Sequence, residues 1–298
     1  MKFVERFQTG CRCVMFFCMT WSFASANAAV LYAQEGGRLY GLNNFSNLVE
    51  IDLDNQQITE IGDIGFGLNG LTFHPPTGEL FGISPTGGGR RLVRVDPTTG
   101  QGTAVGSTGF DNGGEIAYNP STGGFYSTIS DGIGGPTSLI QIDAETGAGE
   151  IIGETGFLGF LGLAYDQQDN LLFGTASPME NPADDILVSL DPLTGTATAI
   201  GPVDLGAGLT PFGLTHDPFS DQLVVSLPGF LSPTLFFTSN QFIYGIDKQT
   251  GEISSFTRFT PNESINALAF VPNAIPEPGS GCVLMLGLTA AFLSRRRR

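Results

Sequence analysis

Carboxylates are nearly the only side chains in the central part of this chain that could do chemistry. Asp131, Asp184 and Asp185 stand in loops rich in glycine or proline, as do Asp63 and Asp111. Carboxylates and free carbonyls gathered in such loops are the ligand set of calcium. These aspartates are read either as calcium ligands or as solvated turn formers, since no stretch has the spacing of an EF-hand loop. Asp184, Asp185 and Asp131 are the candidate metal ligands, and calcium is the only cofactor the sequence suggests. Glu115 and Asp166 are the candidates for a carboxylate pair, the chemistry of glycoside cleavage, which needs two carboxyl groups at a set separation.

Nucleophilic catalysis has little to draw on. All four cysteines, 11, 13, 18 and 282, lie near the ends of the chain, and there are two histidines, His74 and His216. A zinc site wants three or four nitrogen or sulfur ligands, and no Gly-x-Ser-x-Gly elbow is present to present a serine. His216 falls where the chain elsewhere carries Phe73, so it is expected as a packed strand residue, and His74 is expected in a turn. No catalytic residue is assigned.

The elements that must position these groups form a repeat. Asp52, Asp96, Asp143, Asp191 and Asp247 each follow an apolar strand pattern, as in Leu92-Val93-Arg94-Val95-Asp96, and the last four open a turn that ends in Thr-Gly. They are 44, 47, 48 and 56 residues apart. A second pattern, Gly70-Leu71-Thr72-Phe73-His74 running on to Leu80-Phe81-Gly82, recurs from Glu115, Gly162 and Gly213. Each pattern reads as a hairpin of two short strands, with Asp accepting backbone N–H bonds at the turn and Gly taking positive φ at its end. Two hairpins per period make a four-stranded sheet, and this period is that of a propeller blade. The fold class is therefore all-β, a five-bladed β-propeller of four-stranded antiparallel blades. Asn266 to Phe270 matches the strand missing from the first blade and should close the ring. A sixth blade requires a degenerate copy hidden in the longest spacing.

The two kinds of hairpin turn keep nearly constant length and share one face of the disc. The connections on the other face grow along the chain, and insertions gathered on one face of a repeat fold mark the binding face. The richest loops are Ser177 to Asp185 and Pro228 to Phe237, so Phe230, Phe236 and Phe237 are the candidate ligand-binding residues. The alternative is that these loops vary because nothing constrains them.

Both ends read as addresses rather than as folded structure. Ile275-Pro276-Glu277-Pro278 precedes an apolar run from Gly281 to Leu293, and Arg295, Arg296, Arg297 and Arg298 follow. The prolines keep the segment extended, the apolar run favours lipid, and terminal arginines stay on the cytoplasmic side. Residues 274–298 resemble the PEP-CTERM sorting tail of bacterial secreted proteins in all three parts. The resemblance implies recognition of Pro276, Glu277 and Pro278 by an exosortase-type membrane protease, removal of the tail, and transient membrane contact before that. It also implies a setting rich in exopolysaccharide. At the other end, Lys2, Arg6 and Arg12, an apolar run from Val14 to Ala24 and Ala26-Asn27-Ala28 have the form of a secretory signal. The expected division is a signal peptide over 1–28, a propeller over 29–273 and a sorting tail over 274–298.

Removing both ends changes the composition. Residues 29–275 hold no cysteine and no tryptophan, and they carry six basic side chains against 27 acidic ones, a net charge of −21. Such a surface repels nucleic acid and anionic lipid, which excludes both as partners of the body. The reading is an exported, non-catalytic propeller sorted to the cell envelope or extracellular matrix, serving adhesion, matrix structure or ligand binding. Polysaccharide or another envelope protein would be its partner. The alternative is a carbohydrate-active enzyme, a hydrolase or lyase, on the same scaffold.

Overall fold

The computed structural model describes residues 37–85, 89–130, 132, 135–179, 185–204, 211–227, 241–259 and 264–272. Every regular element among them is a strand. Blade one holds β1 (Gly37–Asn43), β2 (Asn47–Asp52) and β3 (Gln57–Asp63), and blade two holds β4 (Thr72–His74), β5 (Glu79–Ser84), β6 (Arg91–Val95) and β7 (Gly102–Ser107). Blade three is β8 (Ile116–Asn119), β9 (Gly124–Ser130), β10 (Pro136–Ile142) and the first half of β11 (Gly149–Asp166). Blade four takes the second half of β11 with β12 (Leu171–Ser177), β13 (Ile186–Leu190) and β14 (Ala197–Pro202). Blade five is β15 (Phe212–Asp217), β16 (Gln222–Leu227), β17 (Gln241–Ile246) and β18 (Ile253–Phe259), and β19 (Ile265–Pro272) returns to blade one.

The ring is closed by β19, as the repeat requires. It pairs antiparallel with β1, placing Leu39 opposite Phe270 and Tyr40 opposite Ala269, so blade one has the order β19-β1-β2-β3. The described residues form five blades. One departure from separate sheets is that blades three and four are continuous through β11, which gives a seven-stranded sheet. The link between them is short, and Gly156 and Gly159 at φ 82 and 43 bend it while strand pairing continues on either side.

Burial falls from the second strand of a blade to its rim. The second strands β5 and β9 are almost wholly buried, whereas β3, β7 and β14 at the rim are half exposed. The core is five clusters, one between each pair of adjacent blades. Phe81, Ile83, Tyr118 and Phe125, for example, fill the space between blades two and three. The cluster between blades five and one joins Leu39 and Val49 to Val224 and Ile243. Full burial of such side chains stabilises by about 2 kcal/mol each, which explains how the body holds together without a disulfide.

Four outer strands share a bulge. The register shifts at Leu48/Val49, Leu92/Val93, Leu139/Ile140 and Leu187/Val188 leave one extra residue on the outer strand, namely Ile61, Val105, Ile152 or Ile200. A bulge re-aims a side chain, and each of these four packs against the core cluster between its blade and the next.

Candidate functional site: the loop-face mouth of the central channel

The five inner strands β19, β4, β8, β11 and β15 surround the axis, and each begins on the face carrying the variable connections. Their first positions align as Gly70, Glu115, Gly162, Gly213 and Ala267. Small residues are needed here because the backbones crowd: a Cβ on Gly70 would stand 2.9 Å from the Glu115 Cα, and one on Gly162 2.7 Å from the Leu214 Cβ. Only Glu115 carries a large side chain at this position. It is 7% exposed, and burial raises its carboxyl well above the ordinary value. Burial thus favours its neutral form, which can donate as well as accept.

Glu115 lines a cavity of about 340 Å³ whose walls come from all five blades, including Asn69, Arg90, Phe160, Phe212 and Asn266. Arg90 is held by its backbone, which donates to the Phe110 carbonyl (2.9 Å) and accepts from the Thr108 amide (2.8 Å) and hydroxyl (3.1 Å). Its Nε donates to the Asp111 carbonyl at 3.3 Å, while Nη1 is buried without a partner. Burial lowers the guanidinium pKa from its ordinary value, yet arginine remains a cation in proteins. Asn266 donates from Nδ2 to the Ser264 hydroxyl at 3.2 Å, and its Oδ1 is buried and unpartnered. At the rim, Phe45 sits at φ 63 and is 38% exposed.

A second polar cluster lies at the opposite end of the inner strands, on the hairpin-turn face. Lys248 Nζ donates to Asp166 Oδ2 and Asp221 Oδ1 and pairs with Asp169 Oδ2, each at 2.6 Å. His216 stands beside them, Nδ1 3.6 Å from Asp166 Oδ1 and Nε2 3.3 Å from Asp221 Oδ1. Desolvation pulls the Lys248 pKa down, but hydrogen bonds to Asp166, Asp169 and Asp221 outweigh it and hold the ammonium above its ordinary range. His216 is lowered, chiefly by burial and against the pull of Asp166, so it is neutral at pH 7. Ligand atoms of Asp166, His216 and Asp221 lie within 4.8 Å of one another, close enough for a metal. Lys248 already contributes the positive charge there. The cluster ties the Asp247 turn of blade five to the Asp166 turn of blade four.

Several sequence-based expectations change. Glu115 precedes β8 and Asp166 ends β11, so they belong to opposite faces. With four residues of strand between aligned positions, the offset along the axis is roughly 13 Å, beyond the range of an acid/base pair. His216 is buried as expected, but in a charged cluster rather than an apolar one. His74 ends β4 instead of lying in the turn, where blades three, four and five carry Asn119, Asp166 and Asp217. Its Nδ1 bonds the Thr77 hydroxyl at 2.8 Å, and its ring packs edge-on against Tyr118 and Phe81. Desolvation keeps it neutral, against a smaller pull from Glu79. Of the calcium candidates, Asp63 Oδ1 accepts from the Gly65 amide at 2.9 Å as a turn former, and Asp185 Oδ1 accepts from the Ser177 hydroxyl at 3.1 Å. Asp131 and Asp184 lie outside the described residues, as do Phe230, Phe236, Phe237 and the whole tail with Pro276, Glu277, Pro278 and Arg295 to Arg298. Arg90, Asn266 and Lys248 were not among the expected site residues.

The solved structures that the chain is similar to are propellers. A chain from the Nidogen/Laminin complex aligns with a TM-score of 0.54 and 13% identity, over 79% of this chain and 98% of that one. TolB from Acinetobacter baumannii aligns with a TM-score of 0.51 and 12% identity, over 80% of this chain and 67% of that one. Likeness at this identity shows the fold alone. Residues 274–298 match the PEP-CTERM protein-sorting motif. The protein is thus exported, anchored transiently in the membrane by its tail, and processed by exosortase. Among curated proteins none matches the chain.

Proposed function

We propose that the body is a non-catalytic ligand-binding propeller, delivered to the cell envelope or extracellular matrix, where it holds polysaccharide or another envelope component through its variable-loop face. The observation that carries this reading is the cavity at the channel mouth. All five blades contribute to its wall, its polar side chains come from blades one to three, and two of them, Arg90 and Asn266, have buried atoms without partners. A concave site with a few convergent polar groups is the default binding site of such a fold.

The enzyme alternative has one observation in its favour. Burial raises the Glu115 pKa, the direction a general acid needs. Glycoside cleavage needs a second carboxylate, and among the described residues none lines this cavity. A glycan array read beside a reducing-sugar assay separates the readings. Binding without product supports the proposal, and product formation lost in Glu115→Gln supports the enzyme. Calcium at the acidic loops is the ionic companion of the binding reading. A site with Kd near 10 µM would add about 2.7 kcal/mol at about 1 mM calcium, and a melting curve unchanged by chelator removes it.

A further inference from the structure

The groups around the channel mouth are unlike the rest of the molecule in charge. The body carries 27 carboxylates against six basic side chains, yet the described part of this cavity holds one guanidinium, one carboxyl and the amides of Asn69, Asn112 and Asn266. Among the described residues no carboxylate pairs with Arg90, whose Nε bonds a backbone carbonyl and whose Nη1 has no partner. Arg90 is half-buried, and the Nη1 edge of its guanidinium, withdrawn from water and left unneutralised, is unfavourable until an anion completes it. Asn266, 2% exposed, offers a buried acceptor lacking a donor. Burial raises the Glu115 pKa and so favours its neutral carboxyl, the form that offers both a donor and an acceptor and does not repel an anion. Phe160 and Phe212 supply apolar wall.

We infer that this pocket takes a hydroxylated carboxylate of single-sugar size, a hexuronate, with its carboxylate on Arg90 and its hydroxyls shared among Glu115, Asn69 and Asn266. The inference rests on the loop face being the binding face, and it narrows the ligand class. A carboxylate matches the planar fork of a guanidinium, and ring hydroxyls need donors and acceptors on several sides, which amides and a neutral carboxyl provide. The cavity, about 340 Å³, lies at the small end of the range for small-molecule sites. A neutral sugar would leave Arg90 without an anion, a simple carboxylate would leave the amides unused, and a divalent cation would meet a guanidinium.

Isothermal titration of the exported full chain with D-glucuronate, D-glucose, acetate and calcium chloride, each alone, tests this. Glucuronate should bind at least about tenfold tighter than glucose or acetate, a difference of 1.4 kcal/mol, and Arg90→Gln should erase that preference. Because the ligands are compared on the unaltered chain, a misfolded variant leaves the test intact. Equal affinity for glucuronate and glucose overturns the anion assignment while sugar binding at this face survives. Acetate equal to glucuronate overturns the sugar part. No binding of either sugar defeats the ligand-binding reading as well, and calcium that competes with glucuronate for the pocket transfers the site to a cation and overturns the inference.

Discussion

Gly106 on the outer strand of blade two lies against Gly147, the last residue of the Asp143 turn in blade three. A Cβ on Gly147 would stand 2.8 Å from the Gly106 carbonyl oxygen. The same contact joins Gly62 to Gly100, Gly153 to Gly195 and Gly201 to Gly251. Each first partner directly follows a bulged residue, and each second partner ends a Thr-Gly turn at φ between 74 and 80. The Thr-Gly of the repeat therefore does two things: it lets the turn form, and it admits the neighbouring blade. The seam between blades five and one has no such contact, because the first repeat lacks Thr-Gly. There the Phe270 amide of β19 donates to the Thr215 hydroxyl at 3.0 Å, the same bond that Tyr118 makes to Thr72 between blades two and three.

Gly106→Ala should therefore cost about 2 kcal/mol through overpacking, lowering Tm by roughly 4–8 °C for a domain of this size. Gly67→Ala is the matched control, since a Cβ there meets nothing within 4 Å. Equal melting of the two variants would show that the blades do not depend on this approach.

Lys248 is the only lysine of the body, and it neutralises a wholly buried Asp166. Removing it leaves Asp166, Asp169 and Asp221 facing one another, and loss of one partner of a buried pair costs about 3 kcal/mol. Lys248→Met should lower Tm by roughly 6–12 °C. A shift within about 1 °C would mean that solvent screens the cluster.

Glu115 gives a pH signature. Its folded pKa is raised above the ordinary 4.5, so the unfolded chain releases this proton first. Its contribution to stability is fully present below pH 4.5 and is lost as pH rises toward the raised value. Glu115→Gln cannot ionise, so its Tm relative to wild type should climb between pH 4.5 and 8. A difference that stays flat with pH would show that the carboxyl ionises normally.

Most of the architecture was legible in the chain and most of the site was not. The five aspartates and the match of Asn266 to Phe270 with the missing first strand expose period and closure, because a repeat writes its geometry into local spacing. Glu115 carried a readable signal too, since the aligned copies have Gly70, Gly162 and Gly213. Its partners did not. Arg90 follows a run of glycines and reads as a loop residue, and Asn266 reads only as the start of a strand. They meet because the ring closes, which brings residues far apart in sequence to one mouth. The offset of Glu115 from Asp166 was hidden for the opposite reason: both lie near the axis, but at different ends of their strands. Lys248 carried no readable signal because its acceptors come from two other hairpin turns, Asp166 and Asp169 from one and Asp221 from the other.

The tail makes a chemical prediction. Exosortase processing at Pro276-Glu277-Pro278 should leave the extracellular protein without residues beyond about 280. Intact-mass measurement reads this directly, and recovery of a product ending at Arg298 would point to a retained anchor.

The loop-face mouth of the channel, and not the hairpin-turn face, is where this propeller is proposed to meet its ligand. Amide chemical-shift mapping during a glucuronate titration tests it most directly. The shifts should cluster at Phe45, Arg90, Gly113, Gly114 and Ser130. Shifts centred instead on Asp166, Asp221 and Lys248, or none at saturating ligand, would contradict it.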